Sequence, residues 1–145
     1  MMKCVRLLPL ALLAAFYPGM AALAQDAGTS GNLSIEINDL APSDKGCKLT
    51  FVAANDLPQS LLKVSFEFVL FDEKGLVERM AVLDFRDLPA GKTKVRQFDL
   101  PGTKCEAVKS LLINDAPVCA GDGVAKDACM KVLKTGSRSA VELKG

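Results

Sequence analysis

The sequence predicts an all-β protein, an antiparallel β-sandwich of about seven strands held by two disulfides. Three observations support this fold. Apolar and polar residues alternate along most segments after residue 32, clusters of Gly, Pro and Asp separate these segments, and four cysteines follow a start typical of exported proteins. No segment has the period of a convincing helix, although residues 122–133 are ambiguous and could hold one short helix.

Residues 1–24 are predicted to be a secretory signal peptide. Lys3 and Arg6 give the basic start, an apolar run follows, and Ala22-Leu23-Ala24 supplies the small residues that a signal peptidase accepts, so that Gln25 begins the mature chain. The apolar run is too short for a transmembrane span, and no second one follows. We therefore expect a periplasmic or secreted protein without a transmembrane segment after signal cleavage.

The expected mature chain has 121 residues, the full 145 less the 24 of the signal, which is enough for one domain with one core. Without Lys3 and Arg6, 16 of the 18 basic residues remain against 17 acidic ones. The resulting net charge of −1 argues against nucleic acid as a partner. The sequence has no histidine, which removes Ser-His-Asp and Cys-His catalysis and the commonest zinc ligand. We expect no enzymatic activity, no cofactor and no metal.

Residues 25–32 are a polar lead-in, and residues 33–145 are expected to form the sandwich. In each predicted strand, alternation places the apolar side chains on one face, as with Leu33, Ile35 and Ile37 in the first. Between the third and fourth strands, a hairpin turn needs Gly75 at positive φ. The predicted strands cover residues 33–38, 47–55, 63–71, 76–85, 93–100, 107–115 and 138–144.

Five of the six phenylalanines in the predicted strands form a set with a spacing close to two. This spacing is typical of a packed core, and the alternative is the lining of an apolar ligand cavity. The residues are Phe66, Phe68, Phe71, Phe85 and Phe98.

Four cysteines remain after signal cleavage: Cys47, Cys105, Cys119 and Cys129. An even count in an exported chain indicates structural disulfides. A zinc site would need closer cysteine pairs, thiol exchange would need C-x-x-C, and Asp122 and Asp127 are too few for a calcium loop. Three pairings are open. If strand directions alternate, the start of the second strand, with Cys47, and the approach to the sixth, with Cys105, lie at the same end of the sandwich. This favours the pairing Cys47–Cys105 and leaves Cys119–Cys129 as the second pair.

Two sets of residues resemble known proteins. Residues 64–100, with Phe71-Asp72, Gly75 and Pro89-Ala90-Gly91, resemble the strands and turns of FxLYD-type immunoglobulin-like domains, with Phe71 replacing the usual tyrosine. The stretches CKLTFVAAN, FDEKG and LPAGKTKVRQFDLPG, together with the cysteine framework, are similar to a group of uncharacterised small exported proteins of alphaproteobacteria. The resemblance implies an immunoglobulin-like sandwich, and it implies no activity because such folds host many functions.

A basic stripe is the candidate binding site. Lys92, Lys94 and Arg96 recur at every second position, so they share one face of the predicted fifth strand. They could bind an acidic partner protein, an anionic small molecule or a lipid head group. Alternatively, the stripe is a solvated face or protects an edge strand from aggregation. We interpret the protein as a non-enzymatic envelope protein that binds or supports another envelope protein, with anion or lipid head-group binding as the alternative.

Two short motifs suggest catalysis. Ser60-Leu61-Leu62-Lys63 and Lys134-Thr135-Gly136 follow the S-x-x-K and K-T-G order of penicillin-recognising enzymes. The S-D-N element between them is absent, the chain is too short for that fold, and Ser60 precedes a strand instead of opening a helix. We interpret both matches as chance composition.

Overall fold

The computed structural model describes residues 31–145, which form two four-stranded β-sheets packed face to face. The predicted signal peptide, residues 1–24, and residues 25–30 of the predicted lead-in lie outside the described residues. The predicted all-β sandwich is confirmed. Within residues 31–145, no helix has the length and apolar character that a membrane crossing requires.

Eight strands make up the two sheets. They are β1 (Leu33–Pro42), β2 (Gly46–Asn55), β3 (Leu61–Phe71), β4 (Val77–Leu88), β5 (Lys92–Pro101), β6 (Ser110–Ala120), β7 (Leu133–Ser137) and β8 (Glu142–Lys144). A 3₁₀ turn (Cys105–Ala107) precedes β6, and one short helix, α1 (Ala128–Lys131), follows it. The strand order is β5-β2-β1-β7 in the first sheet and β4-β3-β6-β8 in the second.

The predicted seven strands all occur, and the sequence prediction missed only β7. Strand directions alternate along the chain as expected, so that two odd-numbered strands, or two even-numbered strands, run in the same direction. Accordingly, β7 pairs in parallel with β1, and β8 pairs in parallel with β6. The last predicted strand, residues 138–144, is shortened to Glu142–Lys144. The ambiguous residues 122–133 contain the short helix α1.

The core lies between the sheets and is built from alternating inward side chains. β2 shows the pattern most regularly, with every second residue from Cys47 to Asn55 buried. Phe66, Phe68 and Phe85 are fully buried, as predicted, and join Phe51 in an aromatic cluster with ring centroids 5.0 to 6.1 Å apart. These phenylalanines therefore fill the core, as predicted, whereas Phe71 and Phe98 of the predicted set are only partly buried.

Both favoured disulfides are present. The Cα atoms are 5.1 Å apart in Cys47–Cys105 and 5.9 Å apart in Cys119–Cys129. The first ties the beginning of β2 to the 3₁₀ turn before β6, and so joins the two sheets at one end. The second fastens α1 to β6. The pairing could be predicted from strand directions because it depends only on the second and sixth strands, and both precede β7, the strand that was missed.

The turn between β3 and β4 has the predicted chemistry. Gly75 has φ of +75°, a region that residues with a Cβ rarely adopt. The Asp72 carboxylate accepts hydrogen bonds from the backbone N–H groups of Lys74 and Leu76, at 2.8 and 2.9 Å. This local bonding fixes the register with which β4 returns along β3.

Candidate functional site

The outer strands β4 and β5 lie on the same side of the sandwich. β4 ends the second sheet and pairs only with β3 among the described residues, and β5 ends the first sheet and pairs there only with β2. We call the gap between these two strands the β4–β5 seam. An outer strand presents backbone N–H and C=O groups that have no partner strand. At the seam, two such strands lie side by side.

Two arginines bridge the seam from opposite sides. Arg96 of β5 donates from Nε to the Phe85 carbonyl at 2.7 Å and from Nη2 to the Asp87 carbonyl at 2.9 Å, with the Asp87 carboxylate at 3.4 Å. Arg79 of β4 donates from Nη1 to the Pro101 carbonyl at 2.8 Å and to Thr103 Oγ1 at 3.0 Å. The two guanidinium groups therefore close the seam near its two ends.

Between the two arginines the seam opens into a groove of about 410 Å³. Its apolar lining is exposed: Val82 of β4 is 57% accessible and Val95 of β5 is 58% accessible. The groove is lined by Val82, Leu83, Asp84, Arg86, Val95, Arg96, Gln97 and Phe98. Charged and amide side chains, Asp84, Arg86, Arg96 and Gln97, make up half of this lining, and the exposed valines add apolar surface beside them. A groove that combines apolar and polar groups at two sheet edges can bind another molecule.

Apolar character continues from the groove onto the outer face of the second sheet. Met80 of β4 is 53% accessible and lies opposite Val69 of β3, which in turn lies opposite Leu112 of β6. Residues directly opposite each other on neighbouring strands share one face. The three side chains therefore form an apolar row that ends at the free edge of β4.

β4 contains a bulge that limits its regular edge. Val64 of β3 pairs with Arg86 and the next residue, Ser65, pairs with Asp84, so β4 carries one extra residue at this point. Arg86 has φ of +62°, and its N–H donates to the Asp84 carboxylate at 2.8 Å. This local bond offsets part of the strain of the left-handed conformation and occupies a donor that an added strand would otherwise use.

The basic stripe lies on β5 as predicted, and the structure shows which way it points. Alternate residues of β5 share one face. The face that carries Lys92, Lys94 and Arg96 also carries Phe98, which is half-buried, and Leu100, which is buried in the core. The stripe is therefore on the inward face of an edge strand, beside the seam. Arg96 is held by β4, and its side chain is only 16% accessible. Lys92 and Lys94 form no ion pair with the described residues.

The catalytic motif matches have structural explanations. The Ser60 hydroxyl accepts a hydrogen bond from the Ala90 N–H at 3.0 Å and so ties the approach to β3 to the turn after β4. Lys134-Thr135-Gly136 lies within β7, paired with β1. Among residues 31–145, no group of three or more Cys, Asp or Glu side chains could hold a metal ion.

The loop between Cys119 and Cys129 carries one ion pair. Lys131 Nζ lies 2.6 Å from the Asp127 carboxylate, one helical turn away, and this hydrogen bond and charge lower the pKa of Asp127. Both side chains are well exposed. The pair is therefore a surface contact of the short helix and suggests no binding chemistry.

Comparison with known proteins assigns no family. No family model, no curated protein and no solved structure matches the chain. The resemblance to FxLYD-type domains and to small exported alphaproteobacterial proteins therefore stays a prediction. The functional proposal depends on the geometry of the seam.

The sequence predicted the stripe and missed the rest of the seam. Arg79 and Val95 carry no distinctive signal because each is an ordinary residue for a strand. One signal was available: Met80 and Val82 occupy the positions of β4 that alternation assigns to the solvent face. Apolar residues at such positions indicate a contact surface when the strand lies at a sheet edge.

Proposed function

We propose that this chain is a non-enzymatic exported envelope protein that binds another protein at the β4–β5 seam. The observation that carries the proposal is the exposed apolar pair Val82 and Val95 between two sheet edges that are unpaired within residues 31–145. An extended segment of a partner can add to such an edge by main-chain hydrogen bonds, while its alternate side chains enter the groove. Two disulfides support an oxidising compartment, in agreement with the predicted signal peptide.

Strand addition at β4 can be tested by site-specific crosslinking in the producing cells. A photoreactive amino acid at Gln97, which lines the groove, is expected to form an adduct with a partner protein. The substitution Val82→Lys should reduce that adduct roughly tenfold, because it replaces an exposed apolar side chain of the groove by a solvated charge. The yield is measured by immunoblotting against the protein.

The matched control for this test is Leu62→Lys. Leu62 is 63% accessible, similar to Val82, and does not line the groove. This control variant should keep the Gln97 adduct. An adduct that survives Val82→Lys, or that is lost equally in Leu62→Lys, would place the contact elsewhere and contradict the proposal.

Binding of an anionic lipid head group or small molecule is the second candidate. It is favoured by Lys92 and Lys94, which form no ion pair with the described residues. Two observations weigh against it: Arg96 is held by β4 carbonyls, and the stripe lies on the inward face of its strand. Inward-facing charge on an edge strand is a known means of preventing aggregation.

The two roles of the stripe predict different behaviour of a triple variant. We expect that the wild-type protein does not cosediment with anionic vesicles. We also expect the variant Lys92→Ala/Lys94→Ala/Arg96→Ala to self-associate, because it loses three positive charges from an edge strand. Sedimentation with vesicles and analytical ultracentrifugation measure the two results. Salt-sensitive vesicle binding by the wild type that the variant loses would instead favour the lipid, with each contact worth on the order of 1 kcal/mol.

A further inference from the structure

The charges along the seam are distributed unevenly. Arg86, Lys92 and Lys94 lie toward the end of the seam where β4 turns into β5, and none of them forms an ion pair with residues 31–145. Of the carboxylates near them, Asp87 pairs with Arg96, whereas Asp84 accepts only the neutral Arg86 N–H and keeps its negative charge. Three cations thus face one free carboxylate. This end of the seam therefore has an excess of positive charge.

The middle of the seam offers apolar contacts, and its far end is closed. Val82 and Val95 are exposed on the two sides of the groove. Beyond them Arg79 holds the Pro101 carbonyl and Thr103. The regular edge of β4 between Arg79 and the bulge spans residues 80–84, which in an extended strand corresponds to about 17 Å. This length suits a segment of five or six residues.

From this arrangement we propose that the partner segment is an extended peptide that is acidic at one end. Alternate apolar side chains of the segment contact Val82 on the outer face of β4, and its acidic end lies beside Arg86, Lys92 and Lys94. Charge complementarity sets the direction of the segment, since three cations that form no ion pair with the described residues lie at this end, against Arg79 at the far end. This inference rests on the proposed function and adds the chemistry and orientation of the partner.

A peptide fits these charges better than a membrane surface does. The three cations lie on two different strands at one end of the seam, Arg86 on β4 and the two lysines on β5, and Lys94 is partly buried on the inward face of its strand. A flat bilayer would require cations that project together onto one plane. An extended peptide lying along the seam would place one carboxylate beside each of the three cations.

The experiment uses a phage library of random twelve-residue peptides, selected on the exported, disulfide-bonded protein at low salt. We expect selected peptides to share alternating apolar residues with Asp or Glu clustered at one end. A synthetic copy of a selected peptide should bind roughly tenfold more weakly to the variant Arg86→Gln/Lys92→Gln/Lys94→Gln, and its affinity for the wild type should fall with salt. Fluorescence anisotropy of the labelled peptide measures both effects.

The control variant is Lys74→Gln/Lys109→Gln/Lys134→Gln, which removes the same charge from exposed lysines outside β4, β5 and the turn that joins them. It should bind the peptide as the wild type does. Equal weakening in both triple variants would show a non-specific charge effect and overturn the proposal.

The remaining outcomes separate this inference from the proposed function. Neutral or basic peptides whose binding is abolished by Val82→Lys would refute the acidic partner and leave strand addition at the seam standing. Peptides that are insensitive to Val82→Lys, or the absence of any enriched peptide, would contradict both. Salt-sensitive binding to anionic vesicles without any selected peptide would refute the peptide and favour a lipid ligand.

Discussion

Replacing both Cys47 and Cys105 by alanine is expected to lower the free energy of unfolding by about 4 kcal/mol. The two residues are 58 positions apart, so the bond removes much of the loop entropy of the unfolded chain. It also joins the first sheet to the 3₁₀ turn that leads into the second, at an end where Cys47 is fully buried. Urea unfolding of the purified, oxidised protein measures the loss.

The second disulfide provides the matched control. Cys119 and Cys129 are only 10 positions apart, and the same relation gives about 3 kcal/mol for their replacement. The Cys47/Cys105 variant should therefore be the less stable of the two. The opposite order would show that fastening α1 to β6 contributes more to stability than closing the longer loop does. Loop entropy would then fail to explain the difference between the two disulfides.

Local patterns were sufficient to predict most strands and the disulfides. In β3, alternation identified Val64, Phe66, Phe68 and Leu70 as core residues, and all four are fully buried. This works because alternate side chains of a strand lie on the same face, although Ser65 and Val69 on the other face of β3 are buried as well. The disulfide pairing needed one further assumption, the alternation of strand directions, which holds for β1 to β6.

β7 could not be predicted because its sequence lacks that repeat. In Leu133–Ser137 only the first residue is apolar, and none of the five is buried. The strand forms because its backbone pairs in parallel with β1, a contact between residues about 100 positions apart. Non-local pairing of this kind leaves no period in the sequence.

The seam could not be predicted because it depends on which strands lie at the sheet edges. The spacing of Lys92, Lys94 and Arg96 placed them correctly on one face. It could not show that this face points inward, or that Arg96 would find the carbonyls of Phe85 and Asp87. Those facts follow from the strand order, in which β4 and β5 end different sheets on the same side.

Asn55 is another residue whose role depends on non-local contacts. It is fully buried at the end of β2. Its Nδ2 donates to the carbonyls of Gln59 at 3.0 Å and Leu88 at 2.7 Å, and its Oδ1 accepts from the Leu57 N–H at 3.0 Å. One amide thereby satisfies three backbone groups and links the first sheet to the end of β4. A buried amide with all its partners supplied stabilises a unique arrangement of the chain.

The substitution Asn55→Asp is expected to destabilise the fold by about 3 to 5 kcal/mol near neutral pH. The size of the side chain hardly changes, but the new carboxylate would be buried against two carbonyl oxygens that need a donor. Burial and these oxygens disfavour the charged form, so the pKa of the new group in the folded state is raised above its unfolded value of about 3.9. The deficit relative to wild type should therefore grow as pH rises above about 4 and level off beyond the folded-state pKa. Urea unfolding of both proteins at several pH values measures this difference.

Two further variants make this result specific to the buried amide. Asn32→Asp introduces the same charge at an exposed residue and should change stability little at any pH. Asn55→Leu removes the same hydrogen bonds without a titrating group, so its cost should be about 2 to 4 kcal/mol and independent of pH. If Asn55→Asp shows the pH-independent deficit of Asn55→Leu, the new group does not titrate against the Gln59 and Leu88 carbonyls. A negligible cost of Asn55→Leu would show that the link between β2 and the end of β4 rests on packing and not on the amide.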